Sequence, residues 1–94
     1  MITGFLPIGS VVLLKDSKRR LMINGYLQKS NETGKVWDYC GILYPEGYLN
    51  ADNLFLFNND QIDQIYALGY QDAEQFAMLE RLKEAAAKLA SDNK

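Results

Sequence analysis

The sequence predicts an α+β domain: a small antiparallel five-stranded sheet or SH3-like barrel, followed by one C-terminal amphipathic helix. Three observations point there. Short runs of β-branched and aromatic residues recur through residues 11–70, separated by turns rich in Gly, Pro, Asn and Asp. The stretch 73–90 contains no Gly, Pro or β-branched residue and is rich in Ala, Leu, Glu and Lys. A chain of 94 residues has room for one core only, so residues 1–94 are expected to form a single domain. Within it, residues 5–71 are the β-rich core and 72–90 the helix.

Taken in order, Leu6-Pro7-Ile8-Gly9-Ser10 is an extended lead-in, because Pro7 cannot donate to a sheet ladder and Gly9 marks a turn. Val11-Val12-Leu13-Leu14 is a continuous apolar run bounded by charge, which fits a strand packed on both faces. After a polar turn at 15–19, residues 20–28 form a second strand, and Gly25 in its middle predicts a bulge or bend. Residues 30–34 (Ser-Asn-Glu-Thr-Gly) are a loop. A third strand follows over 36–44, with Gly41 as a second bend, and Pro45-Glu46-Gly47 closes it. Leu54-Phe55-Leu56-Phe57 is short enough to be a strand or one turn of helix. Asn58-Asn59-Asp60 is a turn or cap, and a last strand is placed at 64–70.

The helix is the best-marked element. Asp72 followed three residues later by Gln75 is a capping-box pattern. Glu84 and Lys88 form a favourably oriented i,i+4 pair. Phe76, Leu79, Leu82, Ala86 and Leu89 recur at three- and four-residue spacing and trace one side. Eighteen residues at ~1.5 Å each make a rod of roughly 27 Å, so the alanine-rich half, 85–90, is expected to project or to pair with another helix. Residues 91–94 should fray.

Composition removes most chemistry. There is no His and a single Cys, Cys40, which leaves neither a disulfide framework nor the His/Cys pairs of a zinc site. The commonest neutral-pH general base is absent, and Cys40 stands among Asp38, Tyr39, Gly41 and Ile42, none of which lowers a thiol pKa. Asp60 and Asp63 lack the ladder, the central Gly and the terminal Glu of a calcium loop. No glycine-rich phosphate loop is present. An enzyme, a metal site and a cofactor are therefore not expected.

The net charge of −2 conceals an asymmetry. Residues 1–35 hold six Lys/Arg against Asp16 and Glu32, for +4; residues 36–94 hold four basic and ten acidic side chains, for −6. A basic first third can steer a partner. Lys15, Lys18, Arg19 and Arg20 share one turn, and Tyr26, Trp37, Tyr39 and Tyr44 offer stacking surfaces, so a small nucleic-acid-binding or regulatory barrel is an alternative. A pI near 5.0 argues against it, since a polyanion needs a basic overall field. No basic-then-apolar leader opens the chain and no apolar run approaches the ~20 residues of a membrane span, so a cytoplasmic location without membrane contact is expected.

Protein binding remains. Six tyrosines and one tryptophan are many for this length, and such residues anchor interfaces. The candidate partner-binding residues are Tyr26, Trp37, Tyr39, Tyr44, Tyr48, Phe76, Leu79 and Leu82, and Met78 adds an adaptable side chain on the helix. A homodimer through the helix is a second use of the same stripe.

The succession Leu6-Pro7-Ile8-Gly9-Ser10-Val11-Val12-Leu13-Leu14-Lys15, then Arg20-Leu21-Met22-Ile23-Asn24-Gly25, then Asp38-Tyr39-Cys40-Gly41-Ile42-Leu43-Tyr44-Pro45-Glu46-Gly47 resembles a family of small proteins designated only as a domain of unknown function. Phe57-Asn58-Asn59-Asp60-Gln61-Ile62 and Leu68-Gly69-Tyr70-Gln71-Asp72 extend the likeness, which covers about residues 5–75 and not the helix after Glu74. Members of that family are encoded in Gram-positive bacteria beside type VII secretion genes, near LXG-type toxins. The resemblance implies a cytosolic chaperone or targeting partner for such a toxin, or an immunity protein that neutralises it. It carries no catalytic residue.

Overall fold

Apolar β-branched residues begin the sheet at β1 (Val11–Leu14), the run expected from sequence. The computed structural model describes residues 4–92. The first three residues and the fraying expected at Asn93 and Lys94 lie outside them. Four further strands follow: β2 (Arg20–Lys29), β3 (Val36–Leu43), β4 (Leu54–Phe57) and β5 (Ile62–Ala67). The helix α1 spans Ala73–Asp92, two residues beyond the expected end. One antiparallel sheet runs in the order β4-β3-β2-β1-β5. No ladder joins β4 to β5, so of the two forms that the sequence allows the structure has the open sheet.

Local chemistry accounts for most boundaries. Gly9 takes φ +91° and the Ser10 N–H donates to the Pro7 carbonyl, which turns the lead-in onto β1. Pairing of β2 with β3 slips between Ile23 and Gly25, and this is the bulge that Gly25 predicts. Gly41 is not a bend. It pairs in register with Ile23 and Phe55, and a Cβ there would come within 2.9 Å of the Phe57 ring, so its role is to seat that ring. Leu54–Phe57 is a strand, and the Asn58 turn after it is a reciprocal capping box with Gln61 around a single 3₁₀ turn. The last strand begins at Ile62, two residues before the expected start, because Ile62 pairs with Leu14 and is buried.

Two layers of apolar side chains result. On one face Val12, Leu21, Ile23, Tyr39, Phe57 and Ile62 form the core, with Phe5, Leu6, Leu14, Tyr26 and Leu43 packed against it. Alternation along β2 and β3 sends Met22, Cys40 and Ile42 to the opposite face. Cys40 and Ile42 are nonetheless buried, and so is Leu82 of α1, which packs across β2.

The helix stripe differs from expectation at both ends. Gln75, Leu79, Leu82, Ala86 and Leu89 are the buried or half-buried positions, while Phe76 is 55% exposed. At ~100° per residue Phe76 stands a quarter-turn away from Gln75, off the line that runs through Leu79 and Leu82. The alanine-rich half does not project. Ala86 and Leu89 line a groove of about 440 Å³ with Leu27, Val36 and Asp38. A rod of ~30 Å for twenty residues fits within a body 35 Å in its longest dimension. The Gln75 N–H donates to Asp72 Oδ1 at 2.9 Å, but the Gln75 side-chain amide has no hydrogen-bond partner among the described residues, so the capping box is half made. No helix among the described residues is long and apolar enough to cross a membrane.

Candidate partner-binding surface

Of the eight side chains singled out from the sequence, the structure separates those that hold the fold from those that face outward. Tyr39 is fully buried and belongs to the first group. Its hydroxyl accepts from the Leu6 N–H at 2.8 Å and donates to Asn59 Oδ1 at 2.5 Å. The Asn59 side-chain amide donates in turn to the Gly4 carbonyl, and the Tyr26 hydroxyl donates to the Leu6 carbonyl. Phe5 meets the rings of Tyr26 and Tyr39 edge-on. These contacts latch the lead-in across the core. Burial pushes the Tyr39 phenol up to about 12 and raises that of Tyr26.

Tyr39 is therefore not a surface for a partner, and Tyr26, half-buried with its hydroxyl committed, is a packing residue as well. Leu82 is only 4% exposed and is removed for the same reason: it is the point where α1 meets the sheet. Leu79 is half-buried on that stripe. Trp37 is half-buried, with the Lys35 ammonium 4.1 Å above its ring.

Tyr44, Tyr48 and Phe76 do face solvent. They are joined by residues the sequence reading passed over: Ile65 and Tyr66 on β5, Leu68 and Tyr70 after it, Leu49 beside Tyr48, and Ile8 in the lead-in. Tyr70 is 80% exposed and Tyr48 61%. Four of the missed residues, Ile65, Tyr66, Leu68 and Tyr70, lie in a segment read only as a terminal strand. Its tyrosines were the available signal, since an exposed β5 is what an edge position makes of them.

One cluster within this surface is ordered by polar contacts. Arg20, the first residue of β2, lies opposite Leu13 of β1. Its guanidinium carbon stands 5.0 Å over the Tyr44 ring and 5.5 Å over the Tyr66 ring. Reaching Tyr66 on β5 takes the side chain across β1. Val12 pairs with Ile65 and Val11 with Ala67, so Tyr66 is the extra residue of a bulge, and it follows Ile65 onto the face opposite Val12, the face that carries Arg20. The Tyr44 N–H donates to the Arg20 carbonyl at 3.0 Å and fixes the other ring. Next to the cluster, Arg19 forms an exposed ion pair with Glu46 and holds the Glu46 carboxyl below its ordinary range.

A second feature is a cleft of about 860 Å³ at the β4–β5 corner, lined by Lys15, Asp38, Asn58, Asn59, Asp60, Ile62, Asp63 and Ile65. Asn59 donates its N–H to Asp38 Oδ2 and Asn58 Oδ1 accepts from the Asp38 N–H, so these residues tie the corner to β3. Among the described residues no group of three or more His, Cys, Asp or Glu is placed to hold a metal ion. Burial pushes the Cys40 thiol up, away from the thiolate a nucleophile needs.

A family model described as "Domain of unknown function (DUF4176)" matches residues 5–78. The chain belongs to this family. The matched span of the DUF4176 domain takes in the latched lead-in, all five strands, both tyrosines of the Arg20 cluster and the first turns of α1. The rest of the helix, including Leu82, Ala86 and Leu89, lies beyond it. No curated protein and no solved structure matches the chain.

Proposed function

We propose that this DUF4176 domain is a non-enzymatic accessory factor that works by binding another protein. The observation that carries this is the set of large apolar side chains left in solvent on so small a domain: Tyr44, Tyr48, Tyr66, Leu68, Tyr70 and Phe76. A body that buries little core gains by covering such surface, and tyrosine is among the residue types that anchor protein interfaces. The buried, raised-pKa thiol of Cys40 supports a binding role over a catalytic one.

The partner we propose is an LXG-type toxin of a type VII secretion system, with this chain as its cytosolic chaperone or targeting factor. That choice rests on the resemblance carried by the sequence blocks in residues 5–75. The exposed tyrosines suit a client whose own apolar surface needs cover before export. A homodimer through α1 would have to use Phe76 and Met78, because Leu79, Leu82, Ala86 and Leu89 are turned to the sheet.

Co-expression with an LXG-type toxin tests the proposal. The expected result is a stable heteromer on size exclusion with defined stoichiometry. Separate elution of the two chains at micromolar concentration would remove the toxin as partner.

A further inference from the structure

We infer that the Arg20–Tyr44–Tyr66 cluster is the anchor of the partner-binding surface, and that its occupant is a carboxylate side chain, Asp or Glu, presented by the partner protein. This rests on the protein-binding reading above and deepens it.

Arg20 differs from its neighbour Arg19. Arg19 is paired with Glu46, while Arg20 makes no ion pair among the described residues. A free guanidinium on a flexible stem is usually a poor anchor, because it must be ordered when the partner arrives. Here two aromatic faces order it in advance, one from the end of β3 and one from the β5 bulge. The ring contacts hold the guanidinium by its carbon, and its N–H fork donates to no side chain or carbonyl among the described residues, which leaves it for an acceptor. A carboxylate matches that fork in a bidentate geometry, and Arg and Tyr are the residue types that dominate interface energetics.

Charge selects a protein carboxylate over a nucleic acid. Arg20 comes from the basic first third of the chain, but both tyrosines come from the acidic remainder and the whole chain is −2. One or two acidic side chains can dock there without bringing the dense charge of a phosphate backbone against an acidic body. One face of each tyrosine ring is also taken by Arg20 itself, which reduces what is open to a stacking base.

The experiment measures affinity of the co-expressed toxin for the full chain and four variants: Arg20→Ala, Arg20→Lys, Tyr66→Leu and, as a control of equal charge loss on another part of β2, Lys29→Ala. Circular dichroism checks that each is folded. Arg20→Ala should weaken binding by at least ~30-fold and Arg20→Lys by about tenfold, since lysine keeps the charge but loses the fork and the stack; Lys29→Ala should change it less than ~3-fold. Equal weakening by Lys29→Ala and Arg20→Ala would mean diffuse steering and overturn the assignment. Unchanged affinity in Arg20→Ala would overturn it while leaving protein binding intact. Absence of binding by the unaltered chain would sink the toxin proposal, and this inference with it. A parallel arm uses a single-stranded RNA oligonucleotide at low salt; retention that Arg20→Ala abolishes would reassign the cluster to nucleic acid.

Discussion

Replacing Tyr39 by phenylalanine removes one oxygen atom from the middle of the latch that holds the lead-in on the sheet. The ring stays, so its contacts with Phe5, Tyr26 and Phe57 are kept. Two hydrogen bonds are lost, one from the Leu6 N–H and one to Asn59 Oδ1. Each is worth about 0.5–1.5 kcal/mol net, and the partners left without a bond add to the cost, so the expected loss is about 2 kcal/mol. For a domain of this size, with roughly 5–10 kcal/mol in total, that is a large fraction. Urea unfolding followed by Trp37 fluorescence near neutral pH should show the midpoint lowered by about 1–2 M.

The same variant has a second signature at high pH. The Tyr39 phenol is pushed up to about 12 in the folded chain, against ~10 when unfolded. Below pH ~10 both states keep the proton and the group contributes no pH dependence. Between pH ~10 and ~12 the unfolded chain releases it first, binds fewer protons than the folded chain, and stability falls as pH rises. The drop attributable to this group is about 2–3 kcal/mol at ~1.4 kcal/mol per pH unit. Tyr39→Phe abolishes that part of the alkaline limb, while the part due to the raised pKa of Tyr26 remains in both proteins. A phenylalanine variant within ~0.5 kcal/mol of the unaltered chain at neutral pH, or one with an unchanged alkaline limb, would refute the latch.

Three further outcomes are expected. Leu82→Ala should cost ~2–5 kcal/mol and Phe76→Ala less than ~0.5, a contrast in denaturant midpoints that reports which stripe of α1 packs. Gly69→Ala should lower the melting temperature by more than ~10 °C, because its Cβ would stand 1.8 Å from the Ile8 carbonyl oxygen and displace the Gly69 N–H from Ser10 Oγ; a shift of only a degree or two would mean the 67–70 segment moves freely. Cys40 should react slowly with Ellman's reagent in the native chain and fully in urea, and fast native labelling would show that the sheet face under α1 is open.

The family match over residues 5–78 takes in the sheet and its latch. Latch and anchor are built from one residue type put to two uses. Tyr39 and Tyr26 spend their hydroxyls on backbone and Asn59, whereas Tyr44 and Tyr66 spend their faces on a cation. Composition counts six tyrosines and cannot say which do which.

What the sequence determined by itself is local. Val11–Leu14 as a strand, the turn at Gly9, the bulge at Gly25 and the Asp72 cap each follow from a few adjacent residues whose backbone options are narrow. The tertiary structure decided which side of each element is inside. Phe76 is outside and Gln75 inside because the helix's rotation is set by what it packs on, and the line through Leu79 and Leu82 meets the first turn at Gln75, a quarter-turn from Phe76. Tyr66 is outside beside Arg20 because Ile65 pairs with Val12 and shares its face, which leaves the next residue to the other face. In a pleated strand a shift of one residue exchanges the two faces, and the register that settles it is made by a partner strand fifty residues away, near Val12, which no window along the chain contains.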